Sequence, residues 1–301
     1  MVFDESPLKD VYRRLVWGPY RLGLARLPAG GELRANRALG RLVGIGARGK
    51  RARVRRNMAR AFGEDPRLDG WVRETFQTHF ADQYVSWTFA RIAAGQGSAY
   101  LDLEGREELD RALSRGRGAV LMHPHMGPAQ LPLCVLGSEG YRVNQVGGGG
   151  VSHELSAEGR RAAELRARLE GDIPGRIWDG AGYIRPVLRA LKDNELVLSA
   201  IDGTGGGREL GRRFDRRVLG QRMKVPVGAV FLAMKTGAAL LPLHTFLGPR
   251  GYRSVIGPEL VAPSDLEEAA DLVALQLERW LRCHPGDWHF WDEFEPGRFL
   301  L

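Results

Sequence analysis

Residues 118 to 130 decide the fold, and they read Gly-Ala-Val-Leu-Met-His-Pro-His-Met-Gly-Pro-Ala-Gln. Ala119 to Met122 form a short apolar run, which predicts a buried strand. A polar loop that carries His123, His125 and Gly127 follows the strand. Because open α/β sheets build their sites at the carboxyl ends of strands, the histidines of this loop are candidates for a functional site.

The composition indicates a globular protein with a basic surface. At 301 residues with 44% hydrophobic content, the chain can bury one substantial core or two small ones. Its 44 Lys and Arg against 36 Asp and Glu favour an anionic partner. Phospholipid, nucleic acid and an acidic carrier protein all fit that charge.

Cysteine usage and the chain start bear on the compartment. Cys134 and Cys283 are far apart, so they predict neither a disulfide framework nor a cysteine-rich metal site. The chain has no apolar run of membrane-spanning length, and its first residues do not resemble a signal peptide. We therefore expect a cytoplasmic protein that neither spans a membrane nor is secreted.

Two stretches near the N-terminus are rich in basic residues. Residues 8 to 28 mix apolar and aromatic side chains with Lys and Arg, which is typical of a basic amphipathic helix. Residues 48 to 60 carry six arginines and a lysine. Docking on an anionic membrane and a solvated face of a core-packing helix both fit these patterns.

The chain divides near residue 97. From Trp71 to Ile92, aromatic residues recur at near-helical spacing, as in a core helix or the lining of an acyl-chain groove. Gly95 to Ser98 form a break, after which helices and strands alternate. We predict a helical N-terminal region, residues 1 to 97, and an α/β core, residues 98 to 301, in one continuous structural unit.

Local patterns within the core predict its elements. Helices are expected at residues 106 to 114, at 156 to 170 with Ser156 as N-cap, at 182 to 191, after a capping box of Ser264 and Glu267, and in a segment with Pro226 in its first turn and Gly237 just past its end. Strands are expected at residues 141 to 146, 196 to 201, 239 to 246 and 252 to 256. Asp202 follows one of these strands and opens a glycine-rich turn. Arg208 replaces the third glycine of a dinucleotide fingerprint there, so cofactor binding is weakly supported.

Several of these segments resemble the lysophospholipid acyltransferase superfamily, and most closely its late lipid A acyltransferases. The string from His125 to Gln130 resembles the motif H-x4-D/E, with Gln in place of the acid. Leu219-Gly220, the run from Pro226 to Leu243, and the tail Arg-Cys-His-Pro-Gly-Asp-Trp ending at Trp288 resemble later family segments in the same order. The resemblance implies a mixed central sheet flanked by helices, like that of the glycerolipid acyltransferases, with a helical N-terminal region.

The resemblance also implies a catalytic site. His125 would be the general base, because its neutral form can take a proton from a hydroxyl. The amides of Met126 and Gly127 are candidate oxyanion donors. Gln130 can orient the ring but brings no charge, so Asp202, which matches the acidic second block of related mannoside acyltransferases, is the candidate carboxylate.

The remaining expectations concern substrates and partners. Thr204, Arg208 and Arg222 are candidates for substrate or phosphate contacts. We expect no metal and no cofactor, with acyl carrier protein or acyl-CoA as co-substrate, and a peripheral position on the inner face of the cell membrane. No recognition motif supports nucleic-acid binding.

Two alternatives remain open. His123 and His125 have the spacing of two metal ligands on one strand face, but no third ligand has recognisable spacing. The chain could also be a family member without catalytic activity that binds acyl chains or a partner protein, with Gln130 marking the lost catalysis.

Overall fold

The computed structural model describes residues 6–147, 155–178, 184–203 and 211–301. The first part is helical, with α1 at Pro7–Leu15, α2 at Arg21–Leu24, α3 at Gly31–Gly46, α4 at Arg48–Phe62, α5 at Leu68–Gln83 and α6 at Phe89–Arg91. Short helical turns join α1 to α2 and α5 to α6. The rest alternates strands and helices. Its strands are β1 Leu101–Glu104, β2 Ala119–His123, β3 Val143–Val146, β4 Gly175–Trp178, β5 Leu196–Ala200, β6 Arg213–Val218, β7 Gln221–Pro226, β8 Ala239–Gly248 and β9 Gly251–Ile256. Its helices are α7 Arg106–Leu113, α8 Leu131–Ser138, α9 Ala157–Glu170, α10 Ile184–Lys192, α11 Gly228–Thr236 and α12 Leu266–Cys283.

Seven strands of the described chain form one mixed sheet in the order β1-β9-β8-β2-β5-β3-β4. The five strands from β8 to β4 are parallel, whereas β9 is antiparallel to β8 and parallel to β1. β8 is long enough to pair with β2 through its first half and with β9 through its second. The sheet and the helices around it confirm the predicted mixed α/β fold.

β2 lies at the centre of the sheet and separates two apolar cores. All five of its residues are buried. Val120 and Met122 belong to one core, while Ala119 and Leu121 belong to the other. This alternation follows from the two-residue period of a strand, and burial on both faces explains why the run is continuously apolar.

The N-terminal helices share the core of the sheet. Val54 and Met58 of α4 and Phe76 of α5 pack in the same cluster as Val120 and Met122. The aromatic residues predicted at near-helical spacing are largely core, since Phe76, Phe80, Tyr84 and Phe89 are all buried. No helix in the described part of the chain combines the length and apolar character that a bilayer crossing requires.

The hairpin of β6 and β7 was not predicted. It is an antiparallel pair whose turn is formed by Leu219 and Gly220. Both turn residues have positive φ, 52° and 76°, as a type I′ hairpin requires. The Leu219 amide donates to Glu278 of α12 over 2.7 Å. Pro226 ends β7 rather than lying in the first turn of a helix, so that prediction was wrong.

Helix ends were predicted with mixed success. Ser156 caps α9 as expected, because its hydroxyl accepts from the Gly159 amide. The capping box at the start of α12 was wrong by one residue. Asp265, not Ser264, is the N-cap, and its side chain accepts from the amides of Glu267 and Glu268. The short strands β1 and β4 lie where no strand was predicted.

Candidate active site

His125 and Asp202 come together because they follow neighbouring parallel strands. β2 and β5 pair in register, with His123 opposite Ala200. Each candidate residue lies two positions beyond this pair, so both side chains lie at the same carboxyl edge of the sheet. The topology thereby joins residues that are 77 positions apart in the chain.

Three donors hold the Asp202 carboxylate. Nδ1 of His125 lies 2.7 Å from Oδ1 of Asp202. The backbone amide of His125 donates to Oδ2 over 2.8 Å, and Nε1 of Trp288 donates to the same oxygen over 2.7 Å. Because the Asp202 side chain is fully buried, these bonds replace the water that an ionised carboxylate would otherwise bind.

The contacts also fix the state of the imidazole ring. A carboxylate only accepts hydrogen bonds, so Nδ1 carries the proton and Nε2 presents its lone pair. Burial opposes the charged ring, but the charge and hydrogen bond of Asp202 outweigh it and raise the pKa of His125 above its usual value. Burial acts to raise the pKa of Asp202, yet the charge and hydrogen bonds of His125, with the Trp288 indole, keep that pKa below its usual value. The pair is therefore suited to holding a proton on the ring beside an ionised carboxylate.

The outer side of the His125 ring is accessible. The side chain is 36% exposed, and Nε2 has no hydrogen-bond partner among the described residues. Phe290 packs edge-on against the ring, with 5.0 Å between centroids. An unprotonated ring nitrogen thus lies open beside an apolar surface.

His123 has a different environment. It is buried, and its Nδ1 lies 3.1 Å from the carbonyl oxygen of Pro124. Burial, helped by the neighbouring charge of His125, lowers the pKa of His123 to about 4, so this ring is neutral near pH 7. In the described ranges, no three His, Cys, Asp or Glu side chains come together as metal ligands do.

Gln130 does not contribute to the histidine pair. It precedes α8, and its side-chain oxygen is buried without a hydrogen-bond partner among the described residues. The ring nitrogen that an acid at this position would be expected to orient is instead bound to Asp202. The structure therefore brings Asp202, but not Gln130, to His125.

The two predicted oxyanion donors are already engaged. The Met126 amide donates to the carbonyl of Pro124 over 2.9 Å, and the Gly127 amide donates to that of Asp287 over 3.0 Å. Gly127 has a φ of +58°, and a Cβ atom there would lie 2.8 Å from a methyl carbon of Thr245. The loop has no space for a larger residue, and an oxyanion role for either amide requires its present hydrogen bond to break.

Residues 287 to 290, which we call the closing segment, bind this loop from the other side. The carbonyl of Asp287 accepts from Gly127, and the His289 amide donates to the carbonyl of His125 over 3.1 Å. Nε2 of His289 donates to the carbonyl of Gly127 over 2.6 Å. These residues were not predicted to belong to the site. The only available signal was a cluster of Trp and His donors in a segment that resembles a family motif.

The other predicted contact residues have separate outcomes. Thr204 and Arg208 lie outside the described residues. Arg222 is on the β6–β7 hairpin, where its exposed side chain pairs with Asp215 at 3.4 Å. Arg213, which was not predicted, donates to the carbonyl of Gly203 over 3.1 Å and is half-buried. Arg213 thus contacts the residue that follows Asp202 in the chain.

The geometry suits proton transfer at an accessible nitrogen. A neutral imidazole whose Nδ1–H is held by an ionised carboxylate can take a proton at Nε2, and the carboxylate stabilises the resulting positive charge. Enzymes that transfer acyl groups to hydroxyls need a base of this kind.

Comparison with known proteins identifies the family. A family model described as bacterial lipid A biosynthesis acyltransferase matches residues 20–293. A phosphatidylinositol mannoside acyltransferase of Mycolicibacterium smegmatis is 26% identical over 260 residues, which cover 82% of this chain and 82% of that protein. One from Mycobacterium tuberculosis is 28% identical over 191 residues, which cover 62% of this chain and 57% of that protein. These matches confirm the predicted resemblance, and the chain belongs to the bacterial lipid A biosynthesis acyltransferase family and is an acyltransferase.

Proposed function

We propose that this acyltransferase moves a fatty acyl group from an acyl thioester to a hydroxyl of a glycolipid at the membrane surface. The observation that carries the proposal is the accessible Nε2 of His125, whose Nδ1 lies 2.7 Å from the buried carboxylate of Asp202. The donor is the acyl thioester of acyl carrier protein or of coenzyme A.

In the proposed reaction, Nε2 of His125 takes the proton of the acceptor hydroxyl as its oxygen attacks the thioester carbonyl. The oxygen–carbon bond forms, and a tetrahedral oxyanion results. When the intermediate collapses, the carbon–sulfur bond breaks and the thiolate takes the proton from the imidazolium. Asp202 stays ionised throughout and balances the ring charge, so the products are an ester and a free thiol.

The acceptor class follows from the relatives. Both are named for acylating phosphatidylinositol mannosides, so we propose a sugar hydroxyl of a mannosylated phosphatidylinositol or a similar glycolipid. Such a lipid carries a phosphate, for which Thr204, Arg208 and Arg222 remain candidates. Arg213 joins them because it contacts the residue after Asp202.

Exposed apolar side chains support a membrane-surface location. Leu8, Val11, Leu15 and Leu22 are all more than half exposed, and their spacing places the first three on one face of α1. Val16 and Leu24 of the same stretch are buried. The stretch thus has buried side chains that pack on the protein and exposed apolar side chains that we propose contact the membrane.

Basic residues of α4 add an electrostatic component. Arg48, Arg51, Arg53 and Arg56 are exposed and form no ion pair with the described residues. Lys50, by contrast, pairs with Asp292 at 3.4 Å inside the protein. We propose that the exposed arginines bind anionic headgroups at the cytoplasmic face of the membrane.

Radiolabelled acyl transfer tests the proposal. Acyl-CoA and acyl-acyl carrier protein are each supplied with vesicles that contain a phosphatidylinositol mannoside or a lipid A precursor. We expect ester formation with the mannoside, its loss in His125→Ala, and its retention in His123→Ala. Equal baseline rates in wild type and His125→Ala, with acyl chains still bound, would instead indicate a non-catalytic binding protein.

A further inference from the structure

We propose that Trp288 is a positioning residue for acyl transfer, because its indole N–H holds the carboxylate of Asp202 in place against His125. The inference rests on the proposed function, since it assigns Trp288 a role through the same histidine–carboxylate pair. It concerns a residue that lies 86 positions from Asp202 in the chain.

The environment of Trp288 makes its indole a rigid donor. The side chain is fully buried. Four aromatic rings contact it at steep interplanar angles, with centroid distances of 4.9 to 5.8 Å, and they belong to Phe290, Trp291, Phe294 and Phe299. Edge-to-face packing on several sides leaves the ring no alternative rotamer without displacing its neighbours. The indole N–H therefore points at one acceptor.

That acceptor is the oxygen of Asp202 which does not bind the imidazole. Oδ1 accepts from the His125 ring, while Oδ2 accepts from Trp288 and from the His125 amide. Without the indole, the carboxylate loses one of its three donors, and water cannot replace that donor because the Asp202 side chain is fully buried. The carboxylate then becomes free to rotate, and its remaining negative charge is less well stabilised.

Trp291 provides a matched control. It is also fully buried, lies only three residues further along the chain, and also donates one indole hydrogen bond. Its acceptor, however, is the backbone carbonyl of Pro285, at 2.6 Å, rather than Asp202. Trp288→Phe and Trp291→Phe thus each remove comparable packing and one buried hydrogen bond. Only Trp288→Phe removes a hydrogen bond to the Asp202 carboxylate.

Steady-state kinetics of the full chain are the first test. A hydrogen bond to a buried charge corresponds to about a 10- to 100-fold change in rate, so we expect Trp288→Phe to lower kcat by that factor. KM should stay within about twofold, because the indole touches no substrate. Trp291→Phe should lower Tm by a similar amount as Trp288→Phe while kcat falls less than about threefold. Equal losses of kcat in the two variants would overturn the proposal.

A double-mutant cycle separates positioning from general damage. If Trp288 acts through Asp202, Trp288→Phe should cost less than about twofold in an Asp202→Asn background, because the group it positions is already lost. Full additivity of the two losses would show that Trp288 acts elsewhere, which would overturn the proposal.

A titration of the His125 imidazole by NMR needs no activity. Without the indole the carboxylate is no longer held against the ring, so its charge and hydrogen bond raise the pKa of His125 less. The midpoint should therefore shift downward by about half a pH unit in Trp288→Phe and not in Trp291→Phe. An unchanged midpoint in Trp288→Phe would overturn the proposal. If the midpoint shifts in Trp288→Phe but the wild-type protein transfers no acyl group, the contact is established and only the proposed function is overturned.

Discussion

Nδ1 of His125 lies 2.7 Å from Oδ1 of Asp202, at the ends of two strands that are adjacent in the sheet but distant in the chain. The position that holds the family's acid is Gln130, which makes no hydrogen bond to the ring among the described residues. The carboxylate that contacts the ring is therefore that of Asp202.

Asp202→Asn should lower turnover by about a hundredfold or more, because the ring loses the charge that stabilises its protonated form. For comparison, replacing the Asp that orients the catalytic His of a serine protease by Asn lowers turnover about 10⁴-fold. Gln130→Ala should cost far less. The measurement is kcat in the radiolabelled transfer assay, and equal losses in the two variants would contradict the assignment of Asp202.

Gln130→Glu tests whether the motif's own acid is needed. Because Asp202 already occupies the His125 nitrogen that such an acid would bind, the variant should show unchanged or reduced kcat. Burying a carboxylate there would also cost free energy, because the Gln130 side-chain oxygen is buried without a hydrogen-bond partner among the described residues. A clear increase in kcat would show that the wild-type pair is merely weakened by the absence of the family's acid.

The pH dependence of kcat/KM should follow His125. A general base acts in its neutral form, so activity rises as pH passes through the pKa of the ring. That pKa is raised above its usual value of 6.5, since Asp202 outweighs the effect of burial. The midpoint of the acidic limb should therefore lie above pH 6.5, and it should move to lower pH in Asp202→Asn. An acidic limb centred below pH 6 would contradict this.

Asp287 should make stability depend on pH. Burial, helped by the charge of Glu74, raises the pKa of this carboxyl from 3.8 to about 6, despite hydrogen bonds from Leu247 and Thr78. Because the folded protein favours the neutral form, the stabilising contribution is complete below about pH 4 and is lost as pH rises towards 6. The loss amounts to roughly 3 kcal/mol in the free energy of unfolding.

Asp287→Asn isolates this contribution, since an amide can accept from the Leu247 amide, donate to Thr78 and never ionise. We expect the variant to gain stability relative to wild type between pH 4.5 and pH 7.5, by roughly 2 kcal/mol, because part of the wild-type loss has already occurred at pH 4.5. Urea denaturation of both proteins at the two pH values measures the difference. If the free energies of unfolding of the two proteins differ by the same amount at both pH values, Asp287 ionises normally.

Binding to anionic vesicles should combine charge with apolar contact. We expect affinity for vesicles with anionic lipid to fall as salt rises and to be weak for neutral vesicles. Leu8→Ser and Leu15→Ser should reduce binding. Val261→Ser is the control, because Val261 is 90% exposed and lies outside the proposed surface. Pelleting with neutral lipid that is independent of salt would exclude this mode of binding.

Much of the fold could be predicted from local pattern. The continuous apolar run of β2 indicated a strand buried on both faces, and Ser156 and Gly237 marked helix ends that the structure confirms. The short strands β1 and β4 were not predicted, because a few residues carry too little periodicity to distinguish a strand from a loop. The β6–β7 hairpin was not predicted because its turn has Leu219 at positive φ, a conformation that sequence rules expect of Gly or Asn.

The sequence by itself determined that the chain has an α/β core, that His125 follows its central strand, and that the motif's acid is absent. These features depend on residue type and short-range order. Only the tertiary structure decided which carboxylate meets the ring and which indole holds that carboxylate, because those contacts join residues 77 and 86 positions apart. Contacts of that range follow from strand order and register, and these depend on the packing of the whole chain rather than on any local pattern.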